Sequence, residues 1–595
     1  MGVSTLYKKL HIWRLRHLSE QNYTLILSVV VGLLSGLAAV LLKTLVHTTN
    51  KALLNFQPGL LPGNLLMLLY PFIGILLTIV FVRFILKGDI GHGLPSVLFA
   101  ISRKNGQLPP KNMYSSLVAS TLPVAFGGSV GLEAPIASTG SAIGSNLARW
   151  CRLSPKYVKL LLGCGAAGAI AGIFQAPLAG VLFTVEVLMF DMTLSTTIPL
   201  LISALTAAIF SYFLMGSDVQ FAFVINDAFN LKQIPFYCVL GMFCAFASVY
   251  FLRTTDHVEG WFASRKTWIH KWIIGGLVLG LMIFLFPPLF GEGYGNLSQL
   301  LNGSSDALFL HSPYASLCGR PWIVLILLLL LILLKPVATA VTIGSGGVGG
   351  TFGPSLVIGG LSGYFIATFC NQIGLPPQSA ANFALVGMAA VMTGVMHAPF
   401  MGVFLIAEIT GGYALIIPLL ITSTVTYICV NPFEQHSIYA RKLAAKGDLL
   451  THDKDASAWQ LMEFDALVET NFITLPLEGT LRDLVEAIKL SSRNIFPVLD
   501  NDKHLAGVIV LDDVRKIIFD STLYDTVSLR ELMHPLDAGD VVHRGESLTE
   551  VVDKFKVGNR YNLVVVSDDG VYLGFVSRAN TFSAYRRFIS AYSEE

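Results

Sequence analysis

The sequence predicts an all-α, polytopic membrane protein followed by a small cytoplasmic α/β pair of domains. Three observations carry this reading. The 595 residues are 53% hydrophobic and only 13% charged, where a soluble protein has about a quarter charged, and the mean hydropathy is +0.65. Uncharged runs long enough to cross a bilayer recur up to about residue 443 and then stop. Two different internal repeats lie on either side of that boundary. The net charge of +2 and the lack of any basic, aromatic-interleaved tract point away from nucleic acid. The seven cysteines are scattered, mostly in apolar runs and without metal-ligand spacing, so they read as free thiols rather than disulfides or a metal site.

Residues 1–22 are polar and basic, with Lys8, Lys9, Arg14 and Arg16. A basic flank places the N-terminus in the cytoplasm. The first apolar run, 24–42, is too long for a signal-peptide core and reads as a retained spanning helix. Runs 65–82, 272–290 and 321–334 can also cross the roughly 30 Å of hydrocarbon, some with tilt or a short extension. Between the runs lie breaks: Gly91-His92-Gly93-Leu94-Pro95, Gly127-Gly128-Ser129-Val130-Gly131-Leu132-Glu133-Ala134-Pro135, and a glycine-rich stretch from Gly344 to Pro354. Broken helices at membrane depth survive only where protein or a water-filled path surrounds them, and they mark ion sites in transporters.

The second break holds one acid among glycines and apolar residues. Pro135 suits the first turn of a helix, where a missing N–H costs little. The unpaired amides of such a turn favour an anion, and the Glu133 carboxylate can fill the same place. An acid inside a membrane segment is functional by default; the plain alternative is a capping acid. The break also repeats. Gly131-Leu132-Glu133-Ala134-Pro135 aligns with Gly350-Thr351-Phe352-Gly353-Pro354 at an offset of 219. Ala176-Pro177-Leu178-Ala179-Gly180-Val181 with Glu186 aligns with Ala398-Pro399-Phe400-Met401-Gly402-Val403 with Glu408 at an offset of 222. Two copies of one helical unit, each broken, put a site where the halves meet.

The three Gly/Pro segments, in this order and at this spacing, resemble the signature segments of the CLC family of chloride channels and chloride/proton exchangers. Ser437-Ile438-Tyr439 is similar to the family's pore-tyrosine element. The resemblance covers about residues 23–443 and implies a CLC-type fold of two inverted repeats of tilted, broken helices. It further implies a homodimer in the bilayer with a separate anion path in each subunit, and no resident cofactor. Glu133 would be the gate. The anion would be held by amides around His92, Gly93 and Leu94, Leu132 and Glu133, and Thr351 and Phe352, with the Tyr439 hydroxyl as a further donor. Partial charges bind an anion and let it go, whereas a lysine in the path would hold it. Tyr439 has an alternative reading as an interfacial anchor. Lys335 reads either as a distant source of positive potential or as a lysine snorkelling at a helix end. Glu186 and Glu408 read as helix-capping or bracing acids near the subunit contact.

Departures from the family pattern bear on mechanism. His92 stands where many members carry an anion-contacting serine, so nitrate joins chloride as a candidate ion; fluoride specialisation does not fit. Leu132 replaces the basic residue that usually precedes the gating acid, which predicts a less positive pore mouth. Val187 falls at the family's inner proton-transfer glutamate. This predicts channel-like chloride transport with weak or no proton coupling; the alternative is a chloride/proton antiporter of the same family. A CBS-regulated cation transporter would need converging carboxylates or carbonyl rings, and the acids here are single and offset. No His-Glu-x-x-His, nucleophile elbow or phosphate-cradling lysine loop suggests an enzyme.

Charges return after Lys442, and residues 444–465 read as a polar, partly helical linker. A second repeat follows at an offset of 67: Thr480-Leu481-Arg482-Asp483 matches Ser547-Leu548-Thr549-Glu550, both of capping-box type. Asn501-Asp502 and Asp568-Asp569-Gly570 mark hairpin turns. This tail resembles a tandem pair of CBS domains, 466–527 and 528–595, and the resemblance puts the C-terminus in the cytoplasm and the protein in the plasma (inner) membrane. CBS pairs often take adenine nucleotides. The candidate contacts are Asp513 in the first copy and Ser577 and Asn580 in the second, though neither copy keeps the full pattern. The alternative is a packing and dimerisation module without a ligand.

Overall fold

The computed structural model describes residues 14, 16–55, 63–87, 93–216, 229–302, 308, 309, 312, 314, 320–444, 459, 462, 464–537, 539–557 and 560–593. They fall into two compact units, Met1–Leu449 and Leu450–Glu595. The described α-helices of eight or more residues in the first unit are α1 Glu20–Asn55, α2 Gly63–Val80, α3 Leu94–Arg103, α4 Asn112–Ala125, α5 Glu133–Trp150, α6 Pro155–Phe174, α7 Pro177–Glu186 and α8 Leu194–Met215. They continue with α9 Ile234–Ala263, α10 Trp268–Leu285, α11 Tyr294–Leu301, α12 Pro321–Gly344, α13 Phe352–Gln372, α14 Ala380–Met396, α15 Pro399–Ile409 and α16 Ile416–Val430. Among the described residues, eight helices are long and apolar enough to cross a membrane, and five more are apolar but shorter. The unit is an integral, multi-pass membrane domain.

The predicted runs overlap α1, α2, α10 and α12, with informative differences at their ends. Run 272–290 stops as a helix at Leu285, because Pro287 and Pro288 cannot extend it and instead form the tight turn Pro287–Leu289. Run 321–334 does not stop at its lysine. Helix α12 continues through Lys335 and Pro336 to Gly344. Lys335 is only 1% exposed, and its ammonium donates to the Gly291 carbonyl oxygen at 2.9 Å. It is therefore not a snorkelling residue: it sits in mid-helix with a buried partner.

The repeat seen in the sequence is also a repeat in the packing. In the first half, Gly140 and Gly144 of α5 press against the backbone of α6. A methyl on Gly140 would overlap the Gly165 carbonyl oxygen, and one on Gly144 the Leu161 carbonyl oxygen. In the second half, Gly359 and Gly363 of α13 meet the Gly387 and Phe383 carbonyl oxygens of α14 in the same way. Small residues at such crossings let backbones approach, which is how helices associate where lipid removes the usual hydrophobic drive. The connections match as well. Gln175 and His397 are 222 positions apart (397 − 175), and both adopt left-handed backbone, φ +57° and +56°, ahead of α7 and α15. Glu186 accepts the Phe400 and Met401 amides at 3.1 and 2.7 Å, and Glu408 accepts the Leu178 and Ala179 amides, both at 2.9 Å. Each acid caps the helix of the other copy, so α7 and α15 run in opposite directions. This reciprocity is the geometry of an inverted repeat.

The second unit contains two like halves. In the first, β1 Leu475–Pro476, α17 Leu481–Leu490, β2 Ile495–Leu499 and β3 Leu505–Val510 form a sheet of order β1-β2-β3. In the second, β4 Val541–His543, α18 Leu548–Val557, β5 Asn562–Val566 and β6 Tyr572–Ser577 repeat it as β4-β5-β6, before α19 Arg578–Ser593. In each, the hairpin is antiparallel and the first strand joins it in parallel. Both capping boxes form. The Asp483 carboxylate accepts the Thr480 amide at 2.8 Å, and that of Glu550 accepts the Ser547 amide at 3.0 Å. The six described cysteines, Cys151, Cys164, Cys238, Cys244, Cys370 and Cys429, carry free thiols.

Candidate anion-gating site

Gly131 and Gly350, repeat partners in the sequence, exchange both backbone hydrogen bonds. The Gly131 amide donates to Gly350 at 2.8 Å, and the Gly350 amide donates back at 2.7 Å. This two-residue antiparallel bridge sets the starts of α5 and α13 side by side. The residues capping those helices, Leu132 and Thr351, have nearly the same backbone, φ −93° ψ −13° and φ −93° ψ −6°. At the next position the copies differ: the first has Glu133 and the second Phe352.

Glu133 is 1% exposed. Its Oε2 accepts the Gly353 amide at 3.2 Å, and its Oε1 accepts the hydroxyl of Tyr294. Gly353 lies in the first turn of α13, whose amides have no partner within the helix. The acid of the first repeat thus occupies the helix start of the second. The carboxylate therefore sits on a helix-start amide, as its place beside Pro135 suggested, except that the amide comes from the other copy.

The remaining expected residues divide between two cavities. Gly93, Leu94, Thr351 and Tyr439 line one of about 140 Å³, together with Ala134, Pro135, Asp256, Glu259 and Lys442. Here α3 starts after Gly93, whose φ of +56° suits a residue without a Cβ. Tyr439 is 6% exposed, and its hydroxyl accepts that of Thr351 at 3.4 Å, so it is a buried residue of this cavity's lining. Phe352 is fully buried, with its ring 5.5 Å from that of Phe174. His92 lies outside the described residues.

Leu132 lines the second cavity, of about 730 Å³, with Lys43, His47, Lys51, Glu292 and Tyr294. Its amide donates to Glu292 Oε1 at 3.2 Å. Lys43 and Lys51 of α1 bring basic side chains to this cavity. Leu132 itself brings no charge there, and the lysines that line this cavity come from a different helix. Glu133 falls on the chain between Leu132, at the larger cavity, and Ala134, at the smaller.

Sequence reasoning missed Tyr294, Glu292 and Lys43. The available signal was Gly291-Glu292-Gly293-Tyr294, a further glycine-rich polar break after an apolar run. Val187 is buried at the end of α7, and the neighbouring Glu186 is committed to two amides. In the second unit, Asp513 Oδ2 meets His534 Nε2 at 2.9 Å. The Ser577 hydroxyl donates to Glu469 Oε1 at 2.7 Å and accepts the Asn580 amide at 3.2 Å. The side chains of Asp513 and Ser577 are thus engaged within the unit, and Asn580 is tied to it through its backbone amide. Among the described residues, no cluster of metal-ligating side chains occurs.

A multi-pass domain built from two inverted copies, with broken helices meeting at a buried acid, is the architecture of an ion-transport protein. The family profile described as "Voltage gated chloride channel" matches residues 74–431, and the profile for the CBS domain matches 465–520. The chain belongs to this CLC family. It is 31% identical over 388 residues to a ClcB-like chloride channel protein of Ralstonia nicotianae, covering 64% of this chain and 86% of that one. It is 28% identical over 454 residues to the H(+)/Cl(-) exchange transporter ClcA of Vibrio vulnificus, covering 72% and 91%. In fold it is similar to a slow cyanobacterial Cl-/H+ antiporter, with a TM-score of 0.60 at 24% identity over 72% of this chain and 98% of that one. CLC-family chloride transport is its class of activity.

Proposed function

We propose that each subunit of a homodimer passes chloride between the two cavities, that Glu133 is the gate, and that proton coupling is weak or absent. The carrying observation is the Glu133 carboxylate on the Gly353 amide. With the N-terminus cytoplasmic, the last third of α1 lies on the outward side, so the cavity lined by Lys43, His47 and Lys51 faces out. The smaller cavity, lined by Tyr439 and Lys442 near the chain's exit toward the C-terminal unit, faces in. An anion arriving from outside competes with the carboxylate for the start of α13. Protonating Glu133 removes its charge, weakens its hold on the amide and opens the site. Neutral amides and a hydroxyl then pass the anion on without trapping it.

Val187 supports weak coupling, since the position aligned with the family's inner proton-transfer glutamate carries no titratable group. The exchanger reading draws on the relative named for H(+)/Cl(-) exchange. One assay separates them: liposome flux with chloride, nitrate and fluoride under an imposed pH gradient. Protons driven uphill by a chloride gradient refute the channel reading. Glu133→Ala and Glu133→Gln are expected to give a faster, ungated leak that no longer responds to pH; unchanged transport in both refutes the gate. The C-terminal pair is proposed to act as a packing module without ligand, because Asp513 and Ser577 already have partners. A rise in melting temperature with ATP or AMP would overturn that.

A further inference from the structure

We propose that Glu292 is a positioning carboxylate for the Glu133 gate, and that the two acids share the proton arriving from the outward cavity. The inference rests on the reading of Glu133 as gate and adds a residue to it. Segment 292–294 grips segment 132–133 at two points. Glu292 Oε1 accepts the Leu132 amide at 3.2 Å, and the Tyr294 hydroxyl donates to Glu133. Two carboxylates from distant parts of the chain are thereby held a single residue apart across this contact. Glu292 and Tyr294 line the outward cavity together with Leu132, so a proton from that side meets Glu292 before it meets the fully buried Glu133.

The surrounding charges give this pair a consequence. Facing it are Glu133 from α5, Tyr294 from α11, Lys43 from α1 and Lys335 from α12; His47 and Lys51 of α1 line the same cavity. Lys335 anchors the segment by donating to the carbonyl of Gly291, the residue before Glu292. Lys43 donates to the Ile173 carbonyl at 3.5 Å. With both acids ionised and both lysines charged, the cluster is neutral. One proton on either acid leaves it with a net positive charge, and in a poorly solvated site that charge draws in an anion. The proton that frees the gate thus also attracts the ion that replaces it. Glu292 bears on this balance because its carboxylate is held on the Leu132 amide, one residue from Glu133, and like charges oppose each other.

The test is a planar-bilayer recording of the full-length protein with pH varied on the outward side alone. Glu292→Gln is expected to move the pH of half-maximal chloride current to the acid side by about one pH unit, because Glu133 then gives up its proton more readily. Glu292→Asp should restore a profile near wild type. A merely structural glutamate would change the amount of protein or the maximal current and leave the midpoint in place, and that result overturns the proposal. Lys43→Gln removes the cation facing both acids and should move the midpoint to the alkaline side. If Glu292→Gln fails to assemble, this variant decides alone, and an unmoved midpoint overturns the proposal. If the wild type carries no chloride, or Glu133→Gln keeps its pH response, the gate reading itself fails. A Glu133-dependent response with an unmoved Glu292→Gln midpoint refutes only the role of Glu292.

Discussion

Replacing Tyr294 with phenylalanine removes one hydroxyl and keeps the ring. That hydroxyl donates to Glu133 Oε1, while the Gly353 amide holds Oε2. A hydrogen bond to a charged group contributes about 1.5–3 kcal/mol. At about 1.4 kcal/mol per tenfold, losing it should weaken the hold of the ionised carboxylate on its site by roughly 10- to 100-fold. If release of the acid limits conduction at neutral pH, chloride efflux from liposomes should rise by up to that factor. The gain should vanish in acid, where wild-type Glu133 is protonated and has already let go. The assay is chloride efflux followed with a chloride electrode, from acid to neutral pH, on wild type, Tyr294→Phe and Glu133→Ala. If Glu133→Ala leaks freely while Tyr294→Phe matches wild type at every pH, the tyrosine does not hold the gate shut. If Tyr294→Phe slows efflux at every pH, its hydroxyl serves the passing ion instead.

Other consequences follow from the packing. Gly363→Ala puts a methyl into the Phe383 carbonyl oxygen and should cost about 1–3 kcal/mol, read as a lower melting temperature in detergent; Gly412→Ala, with nothing within 4 Å, should be neutral. Glu186→Gln weakens two charge-assisted contacts with the start of α15 and should also lower the melting temperature, by a loss of about 1–3 kcal/mol, while leaving the pH dependence of transport unchanged. In the C-terminal unit, the Arg482 guanidinium holds the Asp525 carboxyl below the usual carboxylate range through a bidentate contact at 2.8 and 2.7 Å. Its stabilisation is present above the ordinary carboxylate pKa and is lost as pH falls through the depressed value. Urea denaturation of this unit across acid pH should therefore flatten in Asp525→Asn.

Where local chemistry decides the structure, the sequence is readable. Glycine and proline breaks announce the starts of α3, α5 and α13, and apolar runs announce the long helices. The capping boxes at Thr480 and Ser547 locate α17 and α18 because the donor and acceptor are three residues apart. What stays hidden depends on contacts between distant residues. Tyr294 meets Glu133 across 161 positions and Glu292 meets Leu132 across 160, so no local pattern links them. Lys335 looks like the end of a spanning run because hydropathy counts its charge and cannot see the Gly291 carbonyl that receives it. Strands β1 and β4 have two and three residues, too few to show alternation. Gln175 and His397 take left-handed backbone without being glycine, and only their shared offset hints at a common turn. The partners of Asp513 and Ser577 were likewise invisible in the chain's order.

The bridge between Gly131 and Gly350 joins two helix starts of like backbone, with glutamate after the cap in one and phenylalanine in the other. On the proposed gating, that difference decides what the junction is able to do. Matching acids on both sides would set two negative charges against each other and cover both helix starts at once. Matching phenylalanines would leave nothing to compete with the ion. With this proposed gate, an apparatus assembled from twin parts works as a valve because one twin carries an acid where the other does not.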